Sequence, residues 1–329
     1  MTFSLSRVID VLLEGSVAGS FSRAGYETRS RLEQWMPLRN YDMTSKNVII
    51  TGPTSGLGKE VAKTLRAANA NLTLVGRNPN KLSVLADELS KIAGTGSITA
   101  VVADMGDVSA VRLACEQIQK TLSAVDVLVH NAGALVKKYA QTVDGREVTV
   151  ASHVVGPFLM TSQLLPQLRA GHGRVITVSS GGMYSASLPH LGQGGSLEMP
   201  SEKFDGTRQY ALAKRAQVTL NEMWAVKEPG VDFYAMHPGW ADTPGVQEAL
   251  PAFRKATKVI LRTPEQGADT ISWLAMEPHV NGSSGTFWCD RAVRGIYRLP
   301  TTKKADTQTA RDALWAWCSD AAGVSPTSG

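Results

Sequence analysis

Cysteine is scarce. Three occur in 329 residues, Cys115, Cys289 and Cys318, far apart and without metal-ligand spacing. Neither a disulfide framework nor a cysteine-bound metal is expected from them, and free thiols in a reducing compartment are. A long basic run is missing as well. The 34 basic residues exceed the 29 acidic ones by five and are scattered along the chain, so no nucleic-acid partner is expected. No stretch reads as the roughly 18 to 20 apolar residues that a membrane-spanning helix needs. Residues 8–13 form only a short apolar run, broken by Asp10 and followed by Glu14. A secretory leader is not expected either, which points to a cytoplasmic protein, soluble or peripheral to a membrane. The remaining composition, 43% hydrophobic and 19% charged, is that of a globular protein with room for one sizeable domain and its extensions.

From Lys46 onward, short apolar runs alternate with amphipathic stretches. Strands are expected at 47–51, 72–75, 98–102, 125–129, 175–178, 231–236 and 286–289. Helices are expected at 57–68, 80–92, 108–122, through about 170, and around Tyr210, with two more helical segments between 236 and 286. Such alternation implies βαβ units, and right-handed crossovers make them a doubly wound α/β fold with a parallel sheet of Rossmann type. Residues 1–45 stand outside this pattern as an N-terminal extension. Phe3, Leu5, Val8, Ile9, Leu12 and Leu13 recur there at near-helical spacing, which suits a helix packed on the core or on a second subunit. An interfacial anchor through residues 1–15 is the alternative. Residues 300–329 form a polar tail in which Trp315 and Trp317 are expected to dock before a frayed end.

The chemistry-bearing residues cluster at expected strand ends. The turn TGPTSGLG, residues 51–58, separates the first strand from the first helix. Gly52 permits the sharp turn, and Gly56 and Gly58 permit close approach of backbone to a pyrophosphate. Thr54, Ser55 and Leu57 complete the cradle at the helix N-terminus. At the end of the second strand stands Arg77 and no carboxylate, which favours a 2′-phosphate, hence NADP(H) over NAD(H). Asp104 and Met105 follow the third strand, where Asp104 could meet an adenine or cap a helix, as Asp107 could. Asn131, Ala132 and Gly133 end the fourth strand with small residues that leave room for a cofactor. Ser179 and Ser180 end the fifth, where a hydroxyl can donate to a developing oxyanion. Pro238 and Gly239 follow the sixth and lead to Thr243, placed to bond a nicotinamide amide. Tyr210 and Lys214 stand four apart on one helix face, where an ammonium lowers the pKa of a phenol toward that of a general acid or base.

Taken in this order, T-G-x-x-x-G-x-G, N-A-G, Ser, Y-x-x-x-K and P-G resemble the short-chain dehydrogenase/reductase family over residues 46 to about 290. The resemblance implies that Tyr210 protonates a carbonyl oxygen, that Lys214 lowers its pKa and bonds the nicotinamide ribose, and that Ser180, which precedes Gly181-Gly182-Met183, is the catalytic serine. It places Arg77 at a 2′-phosphate-binding position and implies pairing of subunits through helices. One departure stands out. Where the family has an Asn three residues before a Gly, this chain has His153 before Gly156, or Ser152 if the alignment slips by one. An imidazole there could carry the proton relay, change its pH dependence or mark a weakened enzyme. The 29 residues between Ser180 and Tyr210 read as a glycine-rich lid or as a locally packed loop. Trp240, Val246, Leu250, Phe253, Val259 and Ile260 could form an apolar pocket wall, which suits a small apolar carbonyl or alcohol. The rival function is a non-catalytic dinucleotide-binding sensor or scaffold.

Overall fold

Every expected strand forms, the central ones because their apolar runs are buried between helices, while the edge strand at 98–102 stays largely exposed. In a computed structural model, which describes residues 5–192, 194–249 and 251–325, these are β1 (Asn47–Thr51), β2 (Asn71–Gly76), β3 (Ile98–Val102), β4 (Val127–His130), β5 (Arg174–Val178), β6 (Asp232–Met236) and β7 (Phe287–Cys289). They run parallel in the order β3-β2-β1-β4-β5-β6-β7. The chain winds outward both ways from β1 and β4, whose register pairs Ile49 with Leu128. A crevice opens at the carboxyl ends of such a central pair, the usual ligand site of an open α/β sheet.

The helices are α1 (Leu5–Glu14), α2 (Val17–Phe21), α3 (Arg23–Leu32), α4 (Gly56–Ala67), α5 (Pro79–Ser90), α6 (Val108–Thr121), α7 (Val148–Val150) and α8 (Gly156–Ala170). Then come α9 (Gly206–Lys227), α10 (Pro244–Ala249), α11 (Pro251–Thr257), α12 (Pro264–Met276), α13 (Pro300–Ala305) and α14 (Gln308–Ala322). Val61 and Leu65 of α4, Leu82 of α5 and Ile271 of α12 pack on one face of the sheet. Val111 of α6, Leu159 of α8, Ala216 of α9 and Leu314 of α14 pack on the other. Helices α10 to α12 make three segments where two were expected. The polar tail carries α14, whose Trp315 reaches the rings of Phe158 and Trp224. Helix Val148–Ala170 is long and apolar enough to cross a bilayer, contrary to the sequence reading. Its apolarity has another cause: Leu159, Met160, Leu164 and Leu168 are buried in the core.

After β7 the chain turns back through Asp290 and Arg291 into an antiparallel strand, β8 (Ala292–Val293), pairing Cys289 with Ala292. Both turn residues have left-handed φ, 54° and 52°, as a two-residue hairpin of type I′ demands. Asn-Gly is the usual occupant, and its absence is why the hairpin was not foreseen. Non-glycine residues pay about 1–2 kcal/mol each for this conformation, and ion pairs offset it here. Asp290 is fully buried between Arg29 and Arg262, at 2.6 Å from each. Arg291 makes a bidentate pair with Asp269 and lies over the Trp35 ring. Burial alone would raise the Asp290 carboxyl, yet the two guanidiniums hold it below the usual carboxylate range.

The same cluster seats the extension. Arg29 also binds Asp10 and Glu14 of α1, and Arg294, one residue past β8, binds Asp10 at 2.6 Å. Replacing Asp290 by Ala would leave two buried guanidiniums facing each other. Chemical denaturation should then show a loss of about 3–5 kcal/mol. A loss below about 1 kcal/mol, typical of an exposed pair, would mean that the cluster contributes little.

Candidate active site

The glycine turn is built for a ligand that approaches backbone. Gly52 and Gly56 have φ of 64° and 54°, conformations that glycine adopts without strain. A Cβ on Gly58 would collide with Asn131 Nδ2 and Gly52 O, and one on Gly52 would lie 2.8 Å from Ala132 Cα. Ser55 is the N-cap of α4 but makes no side-chain capping bond. The first N–H groups of that helix thus keep their capacity for an anion. Thr54 and Leu57 flank the turn, both half-buried.

Thr51, which the sequence reading passed over as a site residue, ties the turn to β4. Its Oγ1 accepts from Asn131 N (3.1 Å) and Ala132 N (3.0 Å) and donates to Val129 O. Asn131 Nδ2 donates in turn to Thr51 O and Gly52 O, both at 3.0 Å. Arg77 is exposed just past β2. Asp104 is exposed after β3, with Oδ1 accepting from Gly106 N, while Asp107 caps α6. Met105 is buried, its carbonyl packed where Gly156 has no side chain. Thr243 packs near Gly56 across the turn, and its Oγ1 accepts from Val246 N at 3.4 Å. Arg262 donates to Pro238 O and packs where Gly239, at φ 70°, lacks a side chain.

Tyr210 is half-buried on α9, with Lys214 buried one turn on. Ser180 lies beside the Tyr210 phenol, close enough to pull its pKa down, and its Oγ accepts from Gly182 N. Ser179 instead turns inward and donates to Lys214 O at 3.0 Å. Lys214 Nζ donates to Val178 O at 2.8 Å and lies 5.4 Å from the centre of the Tyr210 ring. Burial pushes the amine down to about 7. The lowering expected for the phenol is not what the protein alone produces. Burial raises its pKa above 10, and Ser180 opposes that only in part. The amine that was to supply the charge is itself desolvated.

His153 lies in a π-helical turn, Ala151–Val155, between α7 and α8. Its ring meets that of Tyr210 edge-on, 5.5 Å between centres. Ser152 turns away and donates to Val148 O. His153 Nε2 accepts from Ala134 N at 2.9 Å, and a Cβ on Gly133 would collide with the ring. Burial, and then the Lys214 charge, push the imidazole well below its ordinary value. This imidazole is therefore neutral, accepting at Nε2 and protonated at Nδ1.

The loop after Ser180 is packed down, with Met183, Leu188, Leu191 and Leu197 buried. A cleft lined by Leu135, Lys137, Phe204, Asp205, Gly206 and Thr207 opens one turn before Tyr210. Of the expected pocket wall, Trp240 and Val246 are half-buried, Ile260 is partly exposed and Val259 is 89% exposed, facing solvent. Leu250 and the Phe253 side chain lie outside the described residues. The extension, by contrast, enters the site. Phe21 sits where Gly181 has no side chain and packs on Tyr184, His237 and Trp240. No sequence signal marked it.

Comparison with known proteins gives the same picture. A family model described as short chain dehydrogenase matches residues 46–189. Dehydrogenase/reductase SDR family member 12 of Bos taurus is 35% identical over 304 residues, 89% of this chain and 91% of that protein. Human retinol dehydrogenase 11 is 26% identical over 309 residues, 92% of this chain and 93% of that protein. Among solved structures, a short-chain type dehydrogenase/reductase from Mycobacterium marinum aligns with a TM-score of 0.61 at 22% identity, covering 75% of this chain and 94% of that one. L-sorbose reductase from Gluconobacter frateurii, complexed with NADPH and L-sorbose, aligns with a TM-score of 0.59 at 19% identity, covering 76% and 96%.

The depressed Lys214 pKa has a stability signature. Below about pH 7 folding buries a cation at full cost. Between that value and the ordinary 10.5 the unfolded chain binds one more proton, so stability rises with pH; above 10.5 the effect ends. Lys214→Met should therefore be more stable than the parent at pH 6, by about 1–3 kcal/mol, with the gap closing as pH rises. Equal gaps at pH 6 and pH 10 in denaturant titrations would contradict a desolvated amine.

Proposed function

The chain belongs to the short-chain dehydrogenase/reductase family, and from that premise we propose that it is an NADP(H)-dependent oxidoreductase acting on a small apolar carbonyl or secondary alcohol. The observation that carries this reading is the Ser180–Tyr210–Lys214 cluster beside an uncapped helix N-terminus. Family members use nicotinamide cofactors to interconvert alcohols and carbonyls. The residues present suit such a group. Gly52, Gly56 and Gly58 with the α4 N-terminus would hold the diphosphate, Asn131 to Gly133 would leave room beside it, and Lys214 and Thr243 would meet the nicotinamide half. Bound there, the cofactor supplies or accepts the hydride.

The chain's own residues handle the proton and the orientation. In the reductive direction the Tyr210 hydroxyl gives its proton to the substrate oxygen, and the phenolate left behind takes one back by way of solvent. Ser180 donates to the same oxygen as negative charge grows there. Lys214 holds the phenolate by charge, and His153 holds the Tyr210 ring from behind. Leu135 and Phe204 in the cleft before Tyr210, with Trp240 nearby, favour an apolar substrate, and the name of retinol dehydrogenase 11 speaks for the same class.

A second reading concerns where the protein works. Helix α1 is inside-out: Asp10 and Glu14 face the arginine cluster, while Val8, Val11 and Leu12 are 45%, 65% and 71% exposed. An apolar stripe that faces outward suits the headgroup boundary of a membrane, so residues 1–15 are proposed as a peripheral contact.

Three measurements test these statements. Tyr210→Phe should bind NADPH as the parent does and lose turnover by a factor of about 10² or more; retained turnover sinks the mechanism, and an inactive parent that binds NADPH favours the sensor. Arg77→Ala should weaken NADPH about tenfold or more and leave NADH unchanged; an equal effect on both would remove Arg77 from the 2′-phosphate. Sedimentation with phospholipid vesicles should be lost on Val11→Asp/Leu12→Asp; an unaffected pellet, or none from the parent, ends the membrane reading.

A further inference from the structure

Behind His153, four residues that each carry an unpartnered buried polar atom line one cavity. It has a volume of about 30 Å³ and lies between α8, α9 and the sheet, with His130, His153, Gln217 and Asn221 on its polar side and Phe158 and Trp224 closing it. Among the described residues, twelve buried side-chain nitrogen or oxygen atoms have no protein partner. His130 Nδ1, His153 Nδ1, Gln217 Oε1 and Asn221 Oδ1 are four of them. An unpartnered buried polar atom costs about 1–3 kcal/mol, so four around one space indicate a guest that satisfies them.

Their identities define that guest. Gln217 Nε2 donates to His153 O at 2.7 Å and Asn221 Nδ2 to Thr286 O at 3.5 Å. Each amide therefore turns its oxygen, an acceptor, to the cavity. His153 accepts at Nε2 from a backbone N–H, so its Nδ1 carries the proton and is a donor. His130 Nε2 pairs with Thr161 Oγ1 at 2.8 Å. The Thr161 hydroxyl can donate there, and His130 Nδ1 is then a second donor. Two donors and two acceptors are the complement of a water molecule, and a cavity above about 10–15 Å³ can hold one. No lining residue carries negative charge, and two N–H groups face inward. Such a lining suits a neutral guest better than a metal ion.

We propose that this cavity is a specific site for one buried water, which accepts from His153 and His130 and donates to Gln217 and Asn221. The water ties β4, the π-helical turn and α9 together and fixes the proton of His153 on Nδ1. Nε2 then stays an acceptor for Ala134 N–H, and the ring stays against Tyr210 and Gly133. His153 and its water form a positioning unit, and this holds whether or not the chain proves to be an oxidoreductase.

Nuclear magnetic resonance of the full chain, labelled with ¹⁵N at histidine and alanine, tests it without substrate or cofactor. Both His130 and His153 should be neutral with the proton on Nδ1, and each Nδ1–H should show a rotating-frame cross-peak to a long-lived water. An unprotonated Nδ1 on His153, or the absence of water cross-peaks in the parent, overturns the proposal. Asn221→Leu removes one acceptor and fills the space, so both cross-peaks should be lost while the Ala134 amide signal shifts. Cross-peaks that persist in a folded Asn221→Leu overturn it too, and the parent spectrum decides by itself if that variant does not fold. Changes at both Nδ1 positions on adding Zn²⁺ would mark a cation site instead.

Discussion

A single buried carboxylate, Asp290, holds three parts of the molecule that are distant in sequence. It accepts from Arg29 of the extension and from Arg262 ahead of α12. Arg262 spends its other N–H groups on Ser20 O, Ser22 O and Pro238 O. The extension and the Pro-Gly turn are thus fixed by one charge. A carboxylate in that place is stable only because two guanidiniums surround it, and they are stable there only because the extension covers them. Removing Asp290 leaves Arg262 buried without a counter-charge, while Arg29 keeps Asp10 and Glu14. The left-handed hairpin that presents Asp290 belongs to the same bargain: its strain persists because the ion pairs over-determine it.

The extension is therefore more than a cover. Once Arg29 anchors α3, the corner between α2 and α3 delivers Phe21 to Gly181, one residue from Ser180. Trp240 N donates to Phe21 O at 2.9 Å, and that bond carries the constraint to the turn after β6. Charge pairs at one end of the corner and aromatic packing at the other set the far side of the candidate site. They do so with residues outside the 46–189 match to the family model.

What could be read from the chain was whatever follows from local pattern. The seven parallel strands were legible because each is a short apolar run between turn-forming residues, and a strand buried on both faces must be apolar throughout. The placement of Gly52, Asn131, Ser180, Tyr210 and Lys214 at one sheet edge followed, since parallel strands bring their carboxyl ends together. Long-range charge pairing was not legible. Nothing near Asp290 or Arg29 marks them as partners 261 residues apart, and the Asp-Arg hairpin lacks the glycine that announces such turns. Burial escaped for the same reason. Val259 looks like a wall residue in sequence and faces solvent, whereas His153 looks titratable and is pinned by a backbone N–H.

Burial also decides the resting charge of the Tyr210–Lys214 pair. Desolvation raises the proton affinity of the Tyr210 phenolate and lowers that of the Lys214 amine, so both changes favour the neutral phenol and the neutral amine. The charge-separated pair, phenolate beside ammonium, is what the protein alone disfavours. His153 cannot supply the missing polarity, because its Nε2 is committed to Ala134 and its positive form is suppressed by the same burial. Val178 O is the only acceptor that the described hydrogen bonds give Lys214 Nζ. A ligand with hydroxyl acceptors or negative charge beside that amine would raise its pKa, and an ammonium so restored would draw the phenol down. In the proposed reaction, a bound ligand would thus restore the charge that burial takes from this pair.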